Sequence, residues 1–350
     1  MGRRRSPGPP LKMDAETMLG QLASILDARL QGYFESMPAC GFYDMMRYQL
    51  GWKDESLRDT RAWGGKRLRP AICLLSCEAV CGDYSPAMIP AMALELLHNF
   101  TLIHDDIEDG DALRRGRPAL WRLCGIPQAL NVGDGLHSLA KAVLFHEPTD
   151  ETALAALVQV SREIDAVCLR LCEGQHLDLV YQDSWDVSVG QYLAMIAAKS
   201  GALIGCAAYA GAAMATRDEL VRQRYREFGE QIGIAFQIRD DLLAIWGEQA
   251  LTGKPVGDVR KRKKTLPLIF ALERSAPEAA SRVKRALASD EDCGQAVYEL
   301  LDATGARQWA IAQAEGYRQA SLRALEAAGN RGPAQDALCE LAGFSISRCY

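Results

Sequence analysis

No two cysteines in this chain are spaced as CxxC, although eleven occur among its 350 residues. Zinc ribbons and thioredoxin-like redox motifs need that spacing, so both are excluded. Cys73, Cys77 and Cys81 fall instead at i, i+4 and i+8, one stripe of a helix otherwise made largely of Ala, Ile, Leu and Val. Buried free cysteine behaves as a small hydrophobe, and the pattern reads as a reduced, cytoplasmic protein. Also lacking is an apolar run of about 18 residues or more, so no transmembrane segment is expected. The basic stretch 1–10 has no apolar segment behind it and is no secretory signal. Gly2 and Ser6 fit a myristoylation pattern, but a disordered tail over 1–14 is the expectation. Positive charge is not in excess: 40 Lys and Arg stand against 45 Asp and Glu, for a net charge of −5. Nothing global therefore points to nucleic acid. Sustained period-2 alternation is absent, as is any Gly/Ser or Pro linker within 15–350.

Helical periodicity fills the chain instead. With 49% hydrophobic residues, it can bury a large core. Turn signals such as Gly64-Gly65, Cys81-Gly82-Asp83 and Gly125-Ile126-Pro127 are spaced for helices. They predict ten to twelve helices, with long ones near 85–108, 151–180, 190–214 and 218–246. One all-α domain over 15–350 is expected.

Against that apolar background the acidic clusters stand out. The run Leu102-Ile103-His104-Asp105-Asp106-Ile107-Glu108-Asp109 puts four carboxylates into five residues at the end of an apolar helix. Asp105 and Asp109 share a helix face, with Asp106 beside them. Like charges this close repel unless a cation neutralises them, and sparse hard oxygen ligands suit Mg²⁺ shared with substrate phosphates. Alone, the run also reads as a solvated helix end. A second pair, Asp240-Asp241, ends another apolar helix. If the two helices run parallel, the carboxylates form two walls of a cage for a metal-bridged diphosphate.

Cations occur as discrete clusters too. Gly64-Gly65-Lys66-Arg67-Leu68-Arg69-Pro70 supplies donors for phosphate oxygens, with glycines that let the backbone approach an anion. Arg114-Arg115-Gly116-Arg117-Pro118 follows five residues after Asp109, which suggests two neighbouring anion sites, one metal-bridged and one bound directly. A third stretch, from Thr252 to Thr265, carries six basic residues and begins shortly after Asp241. Lys199 interrupts a small-and-apolar helix, where a charge is costly without a partner.

Taken together, these residues resemble the short-chain polyprenyl synthetases, the trans-isoprenyl diphosphate synthases. GGKRLRP, LHNFTLIHDDIED, RRGRP, EGQHLDL, KSGALIG, FQIRDD, TGKPVGD and RKKTLP occur in the family's order from Gly64 to Pro267. The resemblance implies an all-α bundle, usually a homodimer, with a deep cavity. It implies Mg²⁺-dependent condensation of an allylic diphosphate with isopentenyl diphosphate, using about three Mg²⁺ per site. By that analogy Asp105, Asp106, Asp109 and Asp240 hold Mg²⁺, and Asp241 and Asp258 join the metal set. Arg114, Lys199 and Lys254 bind the allylic diphosphate. Lys66, Arg69, His98 and Arg115 bind that of isopentenyl diphosphate. Gln175, Asp178, Ser200 and Gln237 line the reacting centre, and Lys263 belongs with the substrate-binding residues.

One position departs from the family pattern. Ala244 stands where a third acidic residue is common in the second motif, and Asp258 or Glu248 is the candidate substitute. Phe100 and Thr101, one turn below Asp105, face the expected cavity floor. One bulky ring beside a small partner resembles the enzymes that stop at twenty carbons, so geranylgeranyl diphosphate is the expected product and farnesyl diphosphate the alternative. A class I terpene cyclase would need only one diphosphate site, against the intact Lys66, Arg69 and Arg115. A regulatory subunit of a heteromeric prenyltransferase would usually have lost the first acidic motif.

Overall fold

The computed structural model describes residues 15–60, 65, 67–147, 150–247, 264–288 and 294–344. Lys66, Glu248, Lys254, Asp258, Lys263 and Arg348, with the tail 1–14, lie outside them. The described residues form fifteen α-helices: α1 (Ala15–Glu35), α2 (Gly41–Leu50), α3 (Leu68–Cys81), α4 (Met88–Glu108), α5 (Leu120–Cys124), α6 (Ile126–Ala142), α7 (Glu151–Asp183), α8 (Val189–Ile196), α9 (Ala202–Ala215), α10 (Glu219–Trp246), α11 (Leu266–Arg274), α12 (Pro277–Ala288), α13 (Gly294–Ala303), α14 (Ala306–Ala328) and α15 (Pro333–Phe344). That exceeds the ten to twelve expected, because short pieces such as the five-residue α5 carry too little periodicity to register. The four long helices lie where the periodicity put them.

Helix ends follow their local chemistry. Asp150 accepts from the Ala153 N–H at the start of α7, and Ser188 forms a capping box with Gln191 at the start of α8. Gly82 takes a left-handed conformation just past α3 and returns its N–H to the Glu78 carbonyl. A five-residue π segment, Ala197–Gly201, joins α8 to α9 and carries Lys199 and Ser200.

The core gathers α3, α4, α6, α9 and the first half of α10 around side chains such as Ile72, Leu74, Leu96, Leu136, Ala207 and Phe228, all fully buried. Two smaller clusters lie under α8, α10, α11 and α14 and under α11 to α13. Two stretches, Ser85–Glu108 and Val189–Ala215, are long and apolar enough to cross a membrane, yet 61% and 67% of their apolar windows are buried inside the bundle. Their hydrophobicity is used by the core.

Helix direction decides where the acidic groups meet. Arg222 donates to Gln159, Arg226 pairs with Glu163, and Arg170 pairs with Glu230 at 2.6 Å. Residue numbers rise together along these contacts, so α7 and α10 run in the same direction. Gln175 on α7 donates to Glu108 on α4 at 2.6 Å, which brings the C-terminal parts of these helices together. The expected common mouth is therefore present.

Candidate active site

At that mouth opens a cavity of about 890 Å³, lined by both acidic helices and by the basic segments. This is at the large end of small-molecule sites. Asp105 and Asp240 line it from opposite walls, α4 and α10. Asp105 forms an ion pair with Lys199 Nζ at 3.0 Å and accepts from Arg114 at 3.3 Å. Lys199 also donates to Asp178 on α7 at 2.6 Å, so the lysine in the apolar helix has the partners its burial demands. Ser200 donates to Gln237 at 2.8 Å, and Gln175 lines the same wall as Glu108.

The two residues of each acidic pair part company. Asp106 is 1% exposed and held by Arg114, yet burial still pushes its pKa up, and its Oδ2 has no hydrogen-bond partner. Asp109 caps α4, its N–H bonded to the Asp105 carbonyl. Asp240 faces the cavity and pairs with Arg239 at 2.9 Å. Asp241 turns inward, where it accepts from the Tyr192 hydroxyl at 2.8 Å and the Leu266 N–H at 3.0 Å. Burial pushes Asp241 up to about 6. It ties α8, α10 and the start of α11 together and is not among the cavity-lining residues.

A second anion site lies beside the first. Arg69 Nη1 donates to His98 Nε2 at 3.0 Å, which leaves the ring's proton on Nδ1. Burial, with Arg69 and Arg115 close by, holds the His98 pKa well below its usual value, so the ring is neutral. Burial lowers Arg69 to about 10, still charged at neutral pH. Arg69 Nε and His98 Nδ1 are buried donors without partners among the described residues. Arg115 completes the cluster, its own pKa lowered by burial and by Arg67 and Arg114. Two half-buried donor groups, Arg69 and His98, with the more exposed Arg115 beside them, have the chemistry of a direct anion site.

Local backbone geometry aims that cluster. The RRGRP segment forms a hairpin, Leu113–Arg114 paired with Arg117–Pro118, a structure that helical periodicity does not announce. Arg115 and Gly116 at its tip have φ of 53° and 77°, as a type I′ turn requires. A left-handed arginine is strained, and here it directs the guanidinium onto Gly65. A Cβ on Gly65 would lie 2.4 Å from Arg115 Cζ, so this glycine makes room for the arginine.

Arg67 also adopts positive φ, 47°, but points the other way. Its guanidinium is 3% exposed and pairs with Asp27 at 2.8 Å, with Glu95, and with the Leu50 carbonyl at 2.7 Å. Burial works to lower its pKa, and the two carboxylates outweigh that and raise it. It is a strut joining α1, α2 and α4 beneath the anion site. Replacing Arg67 with Met is expected to cost about 3–5 kcal/mol, because the buried Glu95 and the half-buried Asp27 lose their counter-charge. Urea denaturation measures it, and a loss below about 1 kcal/mol would show the strut to be dispensable.

The sequence reading missed several residues of the site. Arg239, Glu108, Phe236 and His176 line the cavity, yet none was singled out. Arg239 and Phe236 were legible in FQIRDD, since a cation beside two carboxylates seldom stands idle. Part of the lining is apolar, with Ile72, Leu171, Leu203 and Ile232, and Phe100 and Thr101 are among the lining residues.

The donor set fits a hard divalent cation. Among the described residues no three His, Cys, Asp or Glu side chains form a ready-made cage. Mg²⁺ does not ask for one, because it takes one or two carboxylates and fills its shell with phosphate and water. The Asp106 Oδ2, which has no partner among the described residues, is the kind of acceptor such an ion satisfies, although Asp106 and Asp109, like Asp241, are not among the cavity-lining residues.

Facing carboxylates, two cationic clusters and an apolar lower chamber suit an enzyme acting on diphosphate esters of apolar chains. Residues 51–304 match the polyprenyl synthetase family. A geranylgeranyl diphosphate synthase of Mycobacterium tuberculosis is 41% identical over 240 residues, 68% of this chain and 67% of its own. A (2E,6E)-farnesyl diphosphate synthase of the same organism is 39% identical over 280 residues, 77% of this chain and 76% of its own. A crystal structure of polyprenyl synthetase from Streptomyces coelicolor superposes with a TM-score of 0.87 at 32% identity, covering 95% of this chain and 100% of that one. One of a polyprenyl synthase from Caulobacter crescentus, complexed with calcium and isoprenyl diphosphate, gives 0.78 at 29% identity, covering 98% and 100%. The chain belongs to the polyprenyl synthetase family. Its activity is that of a prenyltransferase making short-chain prenyl diphosphates, and the family uses a divalent metal.

Proposed function

We propose that this protein makes geranylgeranyl diphosphate, with the allylic diphosphate on the carboxylate side of the cavity and isopentenyl diphosphate on the arginine side. The observation that carries this reading is the pair of unlike anion subsites in one cavity, with Phe100 beneath them. Asp105, Asp106 and Asp109 on one wall and Asp240 on the other hold Mg²⁺, about three ions in all. Asp241, buried against Tyr192 and Leu266, supports Asp240 from behind. Bound by these carboxylates, Mg²⁺ would supply positive charge that stabilises a leaving pyrophosphate. Lys199 and Arg114 exchange carboxylate partners for phosphate oxygens and add fixed positive charge where negative charge develops. The apolar walls keep water from the allylic cation. Isopentenyl diphosphate is oriented by Arg69, His98 and Arg115, and pyrophosphate takes the final proton.

The working protein is read as one domain over 15–350, cytoplasmic, and a homodimer. Of the ten exposed large hydrophobics among the described residues, seven fall between Ile126 and Val180, on α6, α7 and their junction. An apolar surface concentrated on two adjacent helices suits a self-complementary interface.

Incubating the purified chain alone with Mg²⁺, isopentenyl diphosphate and each allylic starter, then sizing the dephosphorylated products, tests the proposal. A twenty-carbon prenol is expected. A fifteen-carbon product would favour the farnesyl alternative, a cyclic hydrocarbon a cyclase, and no turnover without a second polypeptide a subunit. Arg115→Met should raise KM for isopentenyl diphosphate roughly 10- to 100-fold, the worth of a charged hydrogen bond. An equal rise in KM for the allylic substrate would overturn the assignment of the two subsites.

A further inference from the structure

Phe100 touches two other rings. Its centroid is 4.7 Å from that of His104, one turn on along α4, at an interplanar angle of 68°. His137 of α6 lies 5.1 Å away at 57°. Phe100 and His104 line the cavity, whereas His137 does not. The surface of α6 is shaped to this cluster. One turn before His137 stands Gly133, where a Cβ would lie 2.4 Å from His104 Nε2. Two residues a turn apart on α4 thus sit on two residues a turn apart on α6: His104 over Gly133, and Phe100 against His137.

We propose that His137 is a positioning residue for product length: it holds Phe100 in place as the closed end of the cavity without touching the substrate. The inference rests on the reading of Phe100 as the floor. A prenyl chain that grows down to Phe100 either stops or displaces the ring. Displacement requires Phe100 to leave its rotamer, and both histidine rings are in contact with it. His104 is itself fixed against Gly133, so it cannot yield sideways. The resistance of the floor therefore depends on α6 as well as on α4, and His137 is the α6 side chain that supplies it.

Product-length distributions of the full-length enzyme, with one starter and excess isopentenyl diphosphate, test this. His137→Ala should raise the fraction of products at least one C5 unit beyond the wild-type main product. The rise should be roughly two- to tenfold, the factor a ring–ring contact of this kind commands. KM for the starter should stay unchanged, and His137→Phe, which keeps a ring, should restore the wild-type distribution. Because His137 acts through Phe100, the double variant with Phe100→Ala should make products no longer than Phe100→Ala alone. Thermal unfolding checks that each variant folds, and His137→Asn gives the same readout should the alanine variant fail. An unchanged distribution in His137→Ala, with longer products from Phe100→Ala, overturns the role of His137 and leaves the floor standing. Unchanged products from Phe100→Ala overturn the floor itself. Additive lengthening in the double variant would place His137 in the channel and overturn its action through Phe100.

Discussion

Replacing Asp105 with Asn is expected to reduce kcat/KM by roughly a thousandfold or more, since metal-assisted charge stabilisation is worth several kcal/mol. The substitution keeps shape and removes one charge from the wall where Lys199 and Arg114 converge. Lys199 retains Asp178 and Arg114 retains Asp106, so the fold should survive with little loss of stability. The decisive measurement is calorimetric titration of Mg²⁺ in the presence of inorganic pyrophosphate. The wild type should bind, and Asp105→Asn should bind at least about tenfold more weakly. Asp241→Asn is the contrast. Its carboxyl holds Tyr192 and the start of α11, so its variant should lose stability more than metal affinity. Near-normal turnover in Asp105→Asn, or metal loss confined to Asp241→Asn, would remove Asp105 from the metal set.

What the sequence showed and what it hid follow from chemistry and geometry respectively. Carboxylates clustered at the end of apolar helices are rare because they are unfavourable without a cation, so Asp105 and Asp240 were conspicuous. The same reasoning could not separate neighbours. Asp240 and Asp241 differ by one helical step, about 100° of rotation, which sends one into the cavity and the other into the core. Arg67 and Arg69 look alike in KRLR, but the left-handed backbone at Arg67 turns it towards Asp27 and Glu95. That conformation is a tertiary outcome with no local signal, since left-handed residues are normally Gly or Asn. The hairpin at Arg115 was hidden for the same reason. Phe100 was legible as the candidate floor because helix spacing puts it one turn before Asp105. His137 was not, because its contact with Phe100 crosses from one helix to another.

Gly174 shows the same limit most sharply, and Gly174→Ala is the second large effect to expect. Within EGQHLDL the side chains that the sequence offers as functional are Gln175 and Asp178, and the glycine beside them carries no chemistry of its own. Yet an alanine Cβ there would lie 2.5 Å from the Lys199 backbone nitrogen and 3.0 Å from the Ala198 carbonyl carbon. Those atoms are backbone, held in the π segment, and cannot swing aside as the tip of a side chain can. Either α7 or the π segment must shift. Overpacking of this kind costs about 1–3 kcal/mol of stability, and a displacement of about 1 Å at a catalytic group can cost on the order of a hundredfold in rate. Lys199 bridges Asp105 and Asp178 across this contact, so the shift reaches the carboxylate wall directly. The expected result is a folded enzyme with kcat reduced roughly a hundredfold. Lys199→Met supplies the comparison. If Gly174→Ala acts by displacing Lys199, the two losses should be far from additive in the double variant. Full additivity, or an active Gly174→Ala enzyme, would show that the close approach of these helices does not position the lysine.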